Sequence, residues 1–472
     1  MPRIATTTLI RAHRTACSLP CHSAWATKTL FDRHFGRLGL VHLSQGRDVF
    51  STLPIELHEK IAECLSKEPG VLHALSSVNK DCLDVANSQL YCTIKDCRTL
   101  ETIALPQSSR SVLDSRHPAA SVRVLEFSVN TESDSESTAS SVRLFETAMF
   151  NLVHFLPQPS YSLLTSLTIH IIGVTFVDAF KGVAWDKFRL QELQIMAQYI
   201  ASSVSECCDT LASLLCPSLQ TLQLELTALG PNGHILDTGM SYSKFLASVN
   251  RLAPNVSKFI LSLHCTYSES LDAFNTTFRD ASFSALDDIE IKISLSSTAD
   301  SPLLDLLKFF HRHTSIQRIN ISYMSASAIH HFQLAIVATQ PSLSGLKHFR
   351  GHIQDYWSLQ SGGHISLQLL TIQLPMEPTI NHGELTDGQL TDVLKHTGTT
   401  LKTLRLVQDW KSQSSICAIS LIWDQLGSSG LQCSTVTALC QNLEELELYL
   451  PWQDVQSDLG LISTIVGDLL TL

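Results

Sequence analysis

Four histidines stand in close pairs, His311 with His313 and His330 with His331. Imidazoles at such spacing are natural ligands for a transition metal, which would bring Lewis-acid or hydrolytic chemistry. A ligand set also needs cysteines or carboxylates at regular spacing, and neither pair has them. The histidines therefore read as surface groups at the ends of outer helices. Gly427-Ser-Ser-Gly430 has the glycines of a phosphate-binding loop but not its lysine or the preceding strand, and no Gly-x-Ser-x-Gly elbow occurs. The 13 cysteines include no Cys-x-x-Cys pair, although Cys207 adjoins Cys208 and Cys17 lies four residues from Cys21. They read as reduced, small hydrophobic groups. No metal, no cofactor and no catalysis by this chain are expected.

The remaining chemistry is that of a charged surface. Glu225, Glu290, Lys292, Arg318, Arg405 and Glu447 alternate with large apolar residues. Period two is the strand period, so the apolar residues point one way and these charges the other. The face is mixed, acidic at both ends, with Lys292, Arg318 and Arg405 towards the middle and later strands. It is the candidate surface for recruiting a protein.

The strands that must carry these charges are copies of one phrase. Its clearest form is Leu219-x-x-Leu222-x-Leu224. It recurs from Val122, Leu164, Leu190, Val256, Leu286, Ile316, Leu367, Leu401 and Leu443, and more poorly from Leu346, where Gly351 takes the place of the third apolar residue. From Phe259 to Ile289 to Ile319 to Phe349 the step is constant at 30 residues, whereas Leu404 to Leu446 spans 42. A single copy means little, but about ten with a locally constant step indicate a solenoid. Helical spacing is expected over 142–156, 242–252, 301–310, 328–338 and 387–396, with Pro217, Pro254 and Pro341 placed after helices. Residues 120–450 thus resemble a leucine-rich-repeat solenoid of ten to eleven irregular repeats. The resemblance implies an α/β horseshoe with parallel strands inside and helices outside. The family's Asn or Cys ladder after the strand is missing, and Thr227, His264 and Ser294 stand there instead.

Residues 51–97 are organised differently. Pro54 suits a helix start, and Leu57, Ile61 and Leu65 follow as one apolar stripe. After a break at 66–70, Val71, Leu72, Leu75 and Val78 give a second helix. Leu83, Val85, Ala86 and Leu90 give a third, closed by Tyr91 and Ile94. The order Leu53-Pro54-x-Glu56-Leu57, Ile61, Leu65, Leu72, Leu75, then Ser77-Val78-Asn79-Lys80 and Leu90-Tyr91, resembles the F-box. Where many members carry a Trp after the Lys, Cys82 or Leu83 stands here. The resemblance implies that Leu53, Pro54, Leu57, Ile61, Leu65, Leu72 and Leu75 bind the Skp-type adaptor of a cullin–RING ubiquitin ligase. An F-box ahead of leucine-rich repeats implies a substrate-recruiting subunit whose repeats hold the target protein. Two rivals share these elements. One is a repeat scaffold whose helices only cap the solenoid. The other is an organelle-imported repeat protein.

The second rival comes from residues 1–50, with seven Lys and Arg against Asp32 and Asp48, the composition of a transit peptide. The segment is otherwise expected to be a disordered leader. An acidic, Ser-rich loop is expected at 129–141. A capping helix is expected within 451–472, where Ile462, Ile465, Val466, Leu469 and Leu470 have helical spacing. The sequons at Asn255, Asn275 and Asn320 are expected to be silent. The net charge of −11 disfavours nucleic acid as a partner, and no apolar run is long enough to span a membrane. The cytosol or nucleus is the expected compartment.

Overall fold

In the computed structural model, residues 53–95, 121–130, 163–172, 188–200, 211–229, 239–265, 276–295, 304–323, 343–360, 365–374, 389–408 and 439–449 are described. The leader, the loop beyond Asn130, the helices expected at 142–156 and 328–338, His330, His331, Gly427–Gly430 and the C-terminal capping helix lie outside them. The chain divides into two compact units after Leu90.

The first unit has three helices, α1 (Ile55–Cys64), α2 (Pro69–Ser76) and α3 (Lys80–Leu90). Pro54 caps α1: its carbonyl accepts the N–H groups of Leu57 at 3.0 Å and His58 at 3.3 Å. Pro69 opens α2, where a missing N–H costs nothing. Asn79 caps α3, its Oδ1 accepting the Cys82 N–H at 2.7 Å. Helix α3 packs on both others. Ala62, Leu72, Leu75, Cys82, Val85 and Ala86 form the core, with Ile61, Leu65 and Leu90 packed partly against it.

The apolar stripe on α1 differs from the expected one. His58 and Ala62 are buried with Ile61 and Leu65 beside them, whereas Leu57 is 48 % exposed. Two steps of four residues overshoot two helical turns by about 80°, so Leu57 drifts off the face that Leu65 occupies. On α3, Cys82 rather than Leu83 faces inward.

The second unit is built on one parallel sheet. Its strands are β1 (Thr93–Ile94), β2 (Val124–Asn130), β3 (Ser166–Ile172), β4 (Glu192–Ile200), β5 (Thr221–Leu229), β6 (Lys258–Cys265), β7 (Asp288–Leu295), β8 (Arg318–Tyr323), β9 (His348–Gly351), β10 (Leu369–Leu374), β11 (Thr403–Gln408) and β12 (Glu445–Tyr449). Each pairs with the next in the chain, and the sheet does not close. All eleven phrases of the sequence are strands, β2 to β12. Tyr91 and Ile94, expected to close the third helix, belong to the core of this second unit. Helices α4 (Gly239–Leu252), α5 (Leu304–Arg312), α6 (Ile353–Gln360) and α7 (Gln389–Thr397) lie between strands. Helix α6 was not foreseen.

Register follows the repeat. Leu193, Leu222, Phe259, Ile289, Ile319 and Phe349 are successive cross-strand neighbours. Their side chains are at most 1 % exposed, and they pack with Phe245, Phe309 and Tyr356 of the helices. Each such burial contributes about 1.5–3 kcal/mol. A carbonyl just before each strand accepts two N–H groups from the next repeat: Gln191 takes those of Gln220 and Thr221, Gln220 those of Ser257 and Lys258, Ser257 those of Asp287 and Asp288. The pattern runs from Cys92 to Lys402, so the two-residue β1 is a full member of the ladder.

A side-chain ladder also exists, ahead of the strands rather than after them. Ser218 donates to the Leu190 carbonyl (2.8 Å), Asn255 to Pro217 (2.7 Å), Ser284 to Pro254 (2.8 Å) and Ser315 to Leu286 (2.7 Å). Each ties a turn to the previous repeat. Gly351, the irregular position in β9, is required by packing. A Cβ there would meet the Phe349 ring at 2.9 Å, and Phe349 packs on Tyr356 of α6 with ring centres 5.2 Å apart.

Candidate functional site

Two surfaces carry the candidate residues, and each is built within its own unit. On the helical unit, a core of few residues lets three short helices pack but leaves large apolar groups outside. Ile55 is 46 % exposed, Leu57 48 %, Val78 47 % and Leu83 40 %. Among the described residues only one other large apolar side chain, Leu163, is classed as exposed, so the feature belongs to this unit. Ile55 and Leu57 lie in the first turn of α1, Val78 in the turn before α3 and Leu83 in its first turn. Of the residues singled out in sequence, Leu57 is exposed and Leu53 half-buried, while Pro54 is the exposed cap. Ile61 and Leu65 are partly buried. Leu72 and Leu75 are 1 % and 8 % exposed and hold the unit together, so they are not free for a partner. Ile55 was not singled out, and Leu83 was expected among the apolar residues of the third helix rather than on the docking face. Their signal was their place one or two residues from Leu57 and Cys82, off the inward face.

On the sheet, the side chains opposite the leucines form rows across the strands. One row contains Ile260, Glu290, Asn320, Arg350, Thr371, Arg405 and Glu447, and the row before it contains Lys258, Asp288, Arg318 and His348. Several of the expected charges meet. Arg405 reaches Glu447 at 3.0 Å and Lys292 reaches Glu290 at 3.2 Å, while Arg318 lies 3.8 Å from Asp288, which Lys258 also approaches at 3.8 Å. Glu225 stands apart from these pairs on β5, half-exposed, next to Met196 and Ser262. Burial pushes the Asp288 carboxyl above its usual range against the pull of Lys258 and Arg318. Burial, aided by Arg318, lowers His348. Arg350 was missed in sequence because β9 is the irregular copy. Its place between Phe349 and Gly351 matches that of Arg405 between Leu404 and Leu406.

The reading of His311 and His313 is corrected. His311 and His313 are 3 % and 6 % exposed, not surface groups. His313 Nε2 accepts the Phe283 N–H at 2.9 Å, so its proton sits on Nδ1, which donates to the Phe309 carbonyl at 2.7 Å. Its ring packs on Phe309 with centres 4.2 Å apart. Burial holds it below the ordinary histidine value. The ring thus ties neighbouring repeats together as a structural group. Among the described residues, no group of three or more His, Cys, Asp or Glu is placed to hold a metal, and no helix is long and apolar enough to cross a membrane.

Comparison of the sequence with protein-family models and with curated proteins finds no match.

Proposed function

We propose that the chain is a substrate-recruiting subunit of a cullin–RING ubiquitin ligase in the cytosol or nucleus. The helical unit acts as an F-box that docks a Skp-type adaptor, and the leucine-rich repeats hold a protein target. The ligase chemistry belongs to other subunits, and this chain contributes proximity and orientation. The observation that carries the proposal is the exposure of Ile55, Leu57, Val78 and Leu83 on a unit that already has its own core. Small solvent-bounded units do not gain from leaving such groups in water, whereas a docking face does. Two of these, Leu57 and Val78, fall in the F-box-like order of residues. At the place of the family's Trp, Leu83 offers an apolar group outward while Cys82 fills the core.

The test is co-purification. The full chain should capture a Skp-type adaptor and, through it, a cullin. Leu53→Ala with Pro54→Ala should remove that capture while the repeats stay folded. Capture of neither subunit by the wild-type chain would favour a non-ligase repeat scaffold.

A further inference from the structure

The four strands β8 to β11 contain no acidic residue, in a chain whose net charge is −11. On the face opposite the leucines they place Arg318, His348, Arg350 and Arg405. The strands on either side carry the acids: β7 contributes Asp288 and Glu290, the latter paired with Lys292 of the same strand, and β12 contributes Glu445 and Glu447. Arg318 and Arg405 lean on these flanks through the pairs with Asp288 and Glu447. Arg350 is exposed and has no ion pair among the described residues. Arg318 is 60 % exposed. A cationic band therefore lies between two acidic walls.

We infer that this band docks an extended protein segment carrying a short run of Asp or Glu side chains. The inference rests on the reading of the repeats as the target-recruiting surface, and names the class of target. Charge complementarity picks the sign of the partner, and geometry picks its form. Neighbouring strands are about 4.8 Å apart, so Arg350 and Arg405, two strands apart, are separated by about 10 Å at their backbones. Both side chains are long enough to converge on one phosphate as well, and the phosphoserine comparator below distinguishes that occupant. An extended chain advances about 3.3–3.6 Å per residue and crosses from β8 to β11, about 14 Å, in four or five residues. The walls on β7 and β12 repel a longer acidic run, which sets its length as well as its charge.

The probe is a fluorescein-labelled peptide with five consecutive Glu residues between neutral Gly-Ser ends, titrated against the full chain by anisotropy. Comparators replace the Glu run by Gln, or by a single phosphoserine among Gln. The Glu peptide should bind at low salt, weaken as salt rises, and bind more tightly than either comparator. Arg350→Glu should weaken it at least about tenfold and Arg350→Gln about threefold. Both variants alter an exposed side chain and should keep the wild-type melting curve. Equal binding of the Gln peptide, tighter binding of the phosphoserine peptide, or unchanged affinity in Arg350→Glu would overturn the inference. Adaptor capture is measured on the same protein. Failure of the peptide with capture intact removes this inference alone, whereas loss of capture with peptide binding intact bears on the ligase reading alone.

Discussion

The helical unit and the strand unit use leucine in opposite ways. In the strand unit, Leu167, Leu193, Leu222 and Leu370 are fully covered because each strand packs against its neighbours in one shared core. In the helical unit, Leu72 is covered while Leu57, fifteen positions earlier, is half in water. The difference is one of size and geometry. Each added repeat extends a shared core, whereas three short helices can cover only the narrow stripe where they touch. An exposed leucine in the first unit therefore carries information that a buried leucine in the second does not.

The largest effect should come from the strand unit's aromatic cluster. Phe309 is fully buried, with Phe278 at 5.2 Å, Phe283 at 6.0 Å and Phe310 at 5.9 Å between ring centres. Phe309→Ala should cost about 3–5 kcal/mol, read as a fall in the denaturant midpoint. A cost below about 1 kcal/mol would mean that the repeats do not share one core.

Next comes a contrast within the helical unit. Leu72→Ala should cost about 2–4 kcal/mol, whereas Leu57→Ala should stay within about 0.5 kcal/mol when both are followed by chemical denaturation. Equal costs would erase the distinction between core and docking face.

Acid should loosen the strand unit. Burial holds His313 below the ordinary value of 6.5 and pulls His352 down to about 4. Both stay neutral in the fold and become protonated on unfolding, so their contribution is complete above pH 6.5. It is lost as pH falls from there towards about 4. The melting temperature should drop across that window, and His313→Gln should shrink the drop while lowering the plateau. A melting temperature that is flat between those pH values would contradict the assignment.

The smallest effect belongs to the side-chain ladder. Asn255→Ala removes one bond to the Pro217 carbonyl and should cost about 1 kcal/mol. An unchanged melting curve would show that water replaces the bond without loss.

Much of this was legible in the sequence, for a physical reason. Period two marks a strand, and a phrase repeated about ten times marks stacking, so the strands from β2 to β12 could be placed before their contacts were known. Strand β1 could not, since Thr93–Ile94 is too short to display a period. Helix α6 was hidden because Gly351 breaks the phrase, and its cause, the Phe349 and Tyr356 rings, is visible only in three dimensions. His313 looked like a surface group because the Phe283 N–H that fixes it lies 30 positions away. The stripe on α1 was misplaced because Ala62 and His58 give weak apolar signals, although the packing of α3 selects their face. The charged face was legible where the repeat is regular, at Arg318 and Arg405, and lost at Arg350 where it is not.

The exposed apolar groups of the helical unit must hold an adaptor if the chain is a ligase subunit. The direct measurement is a calorimetric titration of purified Skp-type adaptor into the full chain and into the variant Ile55→Asp with Leu57→Asp. The wild-type chain should bind, and the variant should bind at least about a hundredfold more weakly, a loss of about 2.7 kcal/mol, with an unchanged circular-dichroism melt. Equal affinity in the two proteins, or no binding by the wild-type chain, would contradict the ligase reading.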